Sequence, residues 1–111
     1  AGGGLVQNFE GALHEADAVM ALRIQHERGG SDLDTAGAEA KYRETFGLTA
    51  DRADGLKPGA GIMHPGPANP GVEIDAEVMG RANSIITRQV TMGVAVRMAC
   101  LEARGAVMGR L

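Results

Sequence analysis

The chain has little cysteine, few aromatic residues and no tryptophan, and each shortage limits what it can be. Cys100 is the single cysteine among 111 residues, which excludes an internal disulfide and a cysteine-rich metal site. The aromatic residues are Phe9, Tyr42 and Phe46 alone, so a core must be built from Val, Leu, Ile, Met and Ala. Cys100 lies in the apolar stretch 96–101, where we expect a small buried side chain rather than a reactive thiol.

The chain also lacks a basic stripe and an uninterrupted apolar run long enough to span a membrane. Its formal net charge of −3 argues against a nucleic-acid partner. Arg88 and Arg97 interrupt the longest apolar segment, so we expect no membrane span. His14, His26 and His64 fall in separate predicted elements without ligand spacing, so we expect no metal site. The unpaired cysteine fits a cytoplasmic protein.

The most informative segment that is present follows a short apolar run at residues 60–63. That run stops at His64-Pro65-Gly66-Pro67, as expected for a buried strand whose C-terminal end opens into a rigid loop. In open α/β sheets, ligands bind in the crevice outside such strand ends. Because the two prolines have no N–H group, the loop offers mainly carbonyl oxygens to a neighbouring molecule. We therefore expect it to accept hydrogen bonds from an amide or an amine.

A second predicted strand, Asp17–Leu22, is also followed directly by polar residues. Arg23 and Gln25 are two positions apart, so on an extended backbone they point to the same side. A guanidinium at this place can bind a carboxylate in bidentate fashion. The alternative is that Arg23 is a surface cation paired with Glu27.

The remaining pattern predicts an α/β fold, a partial Rossmann-like parallel sheet with flanking helices. A strand remnant at Leu5-Val6, a helix capped by Asn8 and the strand from Asp17 would form a right-handed β-α-β unit. A loop at Gly29–Asp32 precedes three further helical segments. They are predicted at about 36–46, from the N-cap Thr49 to about 55, and at 75–79.

The last predicted element is a long helix from about Ser84 to Arg104. Apolar residues wrap almost fully around it, and a helix that is apolar on most sides is one that is buried. Because the remaining residues can cover only one side, we expect a partner domain or a partner chain on the other.

Four groups of residues, in the same order along the chain, resemble aspartate carbamoyltransferase. They are 22–28 (Leu-Arg-Ile-Gln-His-Glu-Arg), 42–48, 64–67 together with 71–75 (Gly-Val-Glu-Ile-Asp), and 89–91 together with 93–99. The resemblance covers nearly all of this chain but only about the last third of that enzyme. It implies that residues 1–82 are part of the aspartate-binding domain. Residues 83–111 would be the C-terminal helix, packed on a carbamoyl-phosphate domain that is missing here.

The resemblance also implies roles for individual residues. Arg23 would hold a carboxylate of L-aspartate with support from Gln25, and Glu27 would orient Arg23. Carbonyls of Pro65, Gly66 and Pro67 would accept hydrogen bonds from the carbamoyl amide and the incoming amine, across a cis Gly66-Pro67 bond. His64 could be read as a general base or a metal ligand, but in the family it mainly shapes the backbone.

The activity implied is transfer of the carbamoyl group of carbamoyl phosphate to L-aspartate, an early step of pyrimidine biosynthesis, in a homotrimeric enzyme. The family's phosphate-binding Ser-x-Arg-Thr segment does not occur in this chain, so we expect the chain alone to be inactive. Ornithine carbamoyltransferase is a weaker alternative, because its equivalent loop typically carries a cysteine. A third hypothesis is a non-catalytic α/β interaction module, or an inactive homologue, that docks a partner through the C-terminal helix.

Overall fold

A computed structural model describes residues 2–24 and 35–109 of the chain, and the helices and strands within these ranges form a small α/β fold. The elements are α1 Phe9–Glu15, β1 Ala18–Met20, α2 Thr35–Phe46, α3 Ala50–Asp54, β2 Gly61–Met63, α4 Ala76–Met79 and α5 Ile86–Met108. The predicted fold class is confirmed. The predicted strand at Leu5-Val6 is wrong, because both residues are exposed and form no strand.

The two strands pair in parallel, which places their C-terminal ends at one edge of the sheet. Ala18 is opposite Gly61, and Met20 is opposite Met63. The pairing continues one residue further, where the Ala21 amide donates to the Met63 carbonyl at 3.0 Å. The segment after β1 and the loop after β2 therefore begin side by side.

The core is aliphatic, as the shortage of aromatic residues requires. It is formed by Leu13, Leu48, Ala53, Ile62, Ile74 and Val78, all buried. The aromatic rings lie at its margin, where Phe9 meets Phe46 edge-on with centroids 5.8 Å apart. Residues of α1, α3, α4 and β2 thus pack together through small and branched side chains.

Local signals fix the start of α1, the start of α3 and the end of α2. Asn8 Oδ1 accepts from the Gly11 amide at 3.1 Å, and Thr49 Oγ1 accepts from the Arg52 amide at 3.4 Å. Gly47 ends α2 where a Cβ would lie only 2.7 Å from the Arg43 carbonyl oxygen. The predicted N-caps Asn8 and Thr49 are confirmed.

Arg52 in α3 joins three helices through one guanidinium group. It donates to the carbonyls of Arg43, Glu44, Thr45 and Gly47 at the end of α2 and just beyond it, where the last carbonyls of a helix have few backbone donors. It also donates to Glu10 of α1 at 2.6 Å and lies 5.4 Å from the centre of the Phe9 ring. Its side chain is only 16% exposed.

Replacing Arg52 by alanine should lower the free energy of unfolding by roughly 2–4 kcal/mol, since several carbonyls lose a charged donor together. Arg52→Lys should restore little of this, because a lysine lacks the planar fork of donors. The measurement is chemical denaturation, with the exposed Arg104→Ala as control. A loss no larger than that of the control would contradict the prediction.

A surface ion pair ties the start of β1 to the segment before β2. Lys57 forms a hydrogen-bonded ion pair with Asp17, which lowers the pKa of that carboxyl from its ordinary value of 3.8. Because the folded state holds the pKa down, the pair contributes stability above pH 3.8 that is lost as the pH falls through the lowered value.

Lys57→Met should therefore be slightly less stable than the native chain at neutral pH and equally stable in strong acid. The contribution is small because both side chains are solvent-exposed. Unfolding measured as a function of pH for both proteins tests this. A stability difference that stays constant into strong acid would argue against the pair as its source.

Helix α5 extends away from the rest of the fold, and its exposure corrects two predictions. No α5 residue is buried, although Ile86 in the first turn packs against the core. Met98 is 65% exposed, and Cys100 is also exposed rather than a buried core residue. The reason is that the hydrogen bonds and core packing between the fold and this helix lie at its start, next to β2. In the part of the chain that is described, no helix has the length and apolarity to cross a membrane.

Candidate functional site

The loop that follows β2 is organised around a fully buried histidine. His64 is 0% exposed, and its Nδ1 accepts a hydrogen bond from the Gly66 amide at 2.8 Å. A ring nitrogen that accepts carries no proton, so in the neutral ring the proton is on Nε2. Nε2 lies 2.9 Å from Oε1 of Glu73 and donates to it. With both ring nitrogens engaged inside the protein, His64 is placed to shape the loop.

Glu73 and Gln89 complete the support of this loop. Oε1 of Glu73 accepts a second hydrogen bond, from the Asn69 amide at 2.7 Å, while Oε2 is buried without a partner in the described ranges. Oε1 of Gln89, in the first turn of α5, accepts from the His64 amide at 2.9 Å. The loop is thereby attached both to the segment after it and to α5.

The three residues expected to bind substrate lie on the outside of this framework. Pro65, Gly66 and Pro67 are exposed, and the implied cis bond between Gly66 and Pro67 is present. Gly66 has φ 74°, a backbone conformation that side chains other than glycine rarely adopt. Among residues 2–24 and 35–109, no hydrogen bond is made to the carbonyl oxygens of these three residues. They are free to accept from a bound molecule.

Arg23 leaves the same edge of the sheet from the end of β1, and its side chain is exposed. Gln25 and Glu27, its expected companions, lie outside the described residues, as does the loop at Gly29–Asp32. The support of Arg23 by these two residues therefore stays a prediction. The structure brings together the start of the Arg23 segment and the start of the His64 loop.

Sequence reasoning gave no role to Glu73, Asn69 or Gln89. The signal for Glu73 was a lone acidic residue between the apolar Val72 and Ile74, where a charge needs a buried partner. Gln89 offered no comparable signal, since a glutamine near the start of a helix is ordinary. Its contact with His64 joins residues 25 positions apart.

Two cavities adjoin this site. One, of about 210 Å³, lies between α1, β1 and α2, and Glu73 contributes to its wall. The other, of about 500 Å³, is a largely apolar groove along α5. Its lining residues are Met63, Ile85, Arg88, Gln89, Met92, Gly93, Val96 and Arg97. Gln89 thus contacts both the His64 loop and the groove. The described ranges contain no group of three or more His, Cys, Asp or Glu side chains placed to hold a metal ion.

Comparison with known proteins places this chain in one protein family. The family model for the Asp/Orn binding domain of aspartate/ornithine carbamoyltransferases matches residues 4–103. The chain belongs to the aspartate/ornithine carbamoyltransferase family. Its curated relatives include aspartate carbamoyltransferase catalytic subunits. The one from Sphingopyxis alaskensis is 50% identical over 97 residues, which are 86% of this chain and 27% of the relative.

Two further proteins are similar to most of this chain. The catalytic subunit from Gluconobacter oxydans is 49% identical over 98 residues, covering 88% of this chain and 31% of the relative. A crystal structure of aspartate transcarbamoylase from Trypanosoma cruzi in complex with phosphate has a TM-score of 0.66 at 25% identity. The aligned part covers 83% of this chain and 29% of that protein. The chain therefore spans less than a third of the length of each.

Proposed function

We propose that this chain is the aspartate-side part of an aspartate carbamoyltransferase. The observation that carries the proposal is the His64 loop, whose outer carbonyls accept no hydrogen bond within the described ranges. They lie at the sheet edge from which Arg23 also emerges. One side of such a site offers acceptors for N–H groups, and the other offers a cation for a carboxylate. Aspartate carries an amine and two carboxylates, so it suits both.

The reaction joins the α-amine of L-aspartate to the carbamoyl carbon of carbamoyl phosphate. The nitrogen lone pair forms the new C–N bond, the C–O bond to phosphate breaks with its electrons leaving on phosphate, and the amine loses a proton. Carbonyls of Pro65, Gly66 and Pro67 would accept from the carbamoyl amide and the amine, and Arg23 with Gln25 would hold aspartate. No covalent intermediate and no cofactor are required, so catalysis consists of positioning and charge stabilisation.

The carbamoyl-phosphate site would be supplied by a further domain packed on α5. The exposed apolar surface of this helix and the adjoining groove of about 500 Å³ support this arrangement. The greater length of the relatives supports it as well, since the chain spans 27% of one and 31% of another. Residues 1–82 would then be part of the aspartate-binding domain and residues 83–111 the docking helix. By family resemblance we also propose a cytoplasmic homotrimer that acts in pyrimidine biosynthesis.

The test compares the isolated chain with the natural polypeptide from its source. The isolated chain should form no N-carbamoyl-L-aspartate above background, because it has no phosphate-binding segment. A longer natural polypeptide that carries a Ser-x-Arg-Thr segment should form it readily. Activity of the isolated chain that Arg23→Ala abolishes would contradict the division into two parts. Carbamoyl transfer to ornithine but not to aspartate, in the same assay, would contradict the choice of substrate.

The exposed apolar surface of α5 also favours a second candidate, a non-catalytic module or inactive homologue that docks a partner. In that case the natural polypeptide would form no carbamoyl-aspartate. Arg23→Ala would leave partner binding intact, whereas polar changes at Val94 or Met98 would destroy it. A pull-down with these three variants, run beside the enzyme assay, separates the two candidates.

A further inference from the structure

We propose that Glu73 is a positioning residue that closes residues 64–69 into a ring and so fixes the carbonyls of Pro65, Gly66 and Pro67. This inference rests on the proposed function, because the carbonyls matter only if they receive substrate N–H groups. It assigns to a buried carboxylate a role that neither the loop motif nor the position of Arg23 indicates.

Two hydrogen bonds to one atom of Glu73 close the loop of residues 64–69. A single oxygen atom, Oε1 of Glu73, accepts from the imidazole of His64 at 2.9 Å and from the amide of Asn69 at 2.7 Å. These two donors stand at the two ends of the loop. Both carboxylate and imidazole are essentially fully buried, at 1% and 0% exposure, so water does not compete for either bond.

The carboxylate also stabilises the tautomer of His64 that the loop backbone requires. Because the Gly66 amide donates to Nδ1, that nitrogen must be unprotonated, and the proton must be on Nε2. Glu73 stabilises this tautomer by accepting from Nε2. One carboxylate therefore holds the ends of the loop directly and its middle through the imidazole.

The loop that Glu73 closes leaves carbonyls as the free polar backbone groups of the exposed turn at residues 65–67. Within residues 65–67, Pro65 and Pro67 have no N–H group, and the N–H group of Gly66 donates to His64. When an amine attacks the carbamoyl carbon, its nitrogen gains positive charge, and its bonds to these carbonyls strengthen. A displaced loop should therefore lower kcat more than it raises KM for aspartate, because Arg23 binds the carboxylate elsewhere.

The experiment uses the natural polypeptide with Glu73→Ala and Glu73→Gln. Alanine removes both bonds and should lower kcat about 100-fold, the effect of a misplacement of about 1 Å. KM for aspartate should change by less than about 3-fold. Glutamine should keep most of kcat, because its oxygen can accept both bonds. Its nitrogen would replace Oε2, which accepts no hydrogen bond in the described part of the chain.

Val78→Ala is the matched control, since Val78 is fully buried in α4 and makes none of the hydrogen bonds that hold residues 64–69. It should destabilise the protein without a comparable change of kcat. If Glu73→Ala lowers stability like the control but leaves kcat within about 3-fold, the positioning role is overturned.

A second measurement does not depend on activity. The ¹⁵N NMR signals of the His64 imidazole should indicate a single tautomer with the proton on Nε2 in the native protein and in Glu73→Gln. Glu73→Ala should displace the loop, so that the backbone amide signal of Gly66 shifts as well as that of Asn69, and an unchanged Gly66 signal in that variant would overturn the inference. If the native polypeptide forms no carbamoyl-aspartate, the proposed function fails, while the NMR result still decides whether Glu73 fixes the loop.

Discussion

Replacing Arg23 by alanine in the natural polypeptide is expected to lower kcat/KM for aspartate by about 100- to 1000-fold. Losing a bidentate, charge-assisted contact with a carboxylate costs roughly 3–4 kcal/mol, and each 1.4 kcal/mol is a factor of ten. The loss should appear chiefly in KM, because a carboxylate away from the reacting atoms is bound similarly in the ground state and the transition state. Steady-state kinetics with varied aspartate measures it.

Two further variants sharpen this test. Arg23→Lys keeps the charge but not the fork of donors, so it should recover only part of the affinity. Arg104→Ala removes another exposed arginine, from α5, and should leave KM for aspartate unchanged. A normal KM in Arg23→Ala would assign the aspartate carboxylates to other groups and return Arg23 to an ordinary surface cation.

The second large effect is expected from aspartate substitutions at Val94 and Met98 on α5. These side chains are 57% and 65% exposed in this structure, so the isolated chain should change in stability by no more than about 1 kcal/mol. In the natural polypeptide the same substitutions should cost several kcal/mol, because an unpaired carboxylate would be buried against the docked domain. Carbamoyl transfer should then fall to background.

Thermal unfolding of the isolated chain and of the natural polypeptide, each with and without the two substitutions, makes the comparison. Glu102→Lys on the same helix is the control, since it reverses a surface charge without adding one to the apolar surface. Equal tolerance of Val94→Asp and Met98→Asp in both proteins would mean that α5 is a free helix and that no domain covers it.

The parts of this fold that follow from the sequence are the local ones. The side chains of Asn8 and Thr49 cap helices because their hydrogen-bond partners lie three residues away. The strand at β2 and the turn at His64-Pro65-Gly66-Pro67 follow from an apolar run that stops at proline and glycine. In each case the determining contact lies within a few residues, so the pattern carries the information.

Longer-range arrangements escaped sequence reasoning. The pattern around Cys100 was read as buried, whereas the described part of the chain contains nothing that covers this end of α5. The support of the His64 loop depends on Glu73 and Gln89, whose side chains reach it only after the chain has turned back on itself. Neither the composition nor the periodicity of the sequence indicates such long-range contacts.

The parallel pairing of β1 with β2 has a consequence for the order in which the molecule folds. Ala18 meets Gly61 only after a segment of about forty residues has been closed into a loop, and that entropy is lost before any strand contact forms. The turns of α1, α2 and α3 need only neighbours along the chain. We therefore expect helical structure to form first and the strand pair to form later, as part of the rate-limiting step of folding. The edge of the sheet that bears Arg23 and the His64 loop would then be among the last parts of the molecule to be assembled.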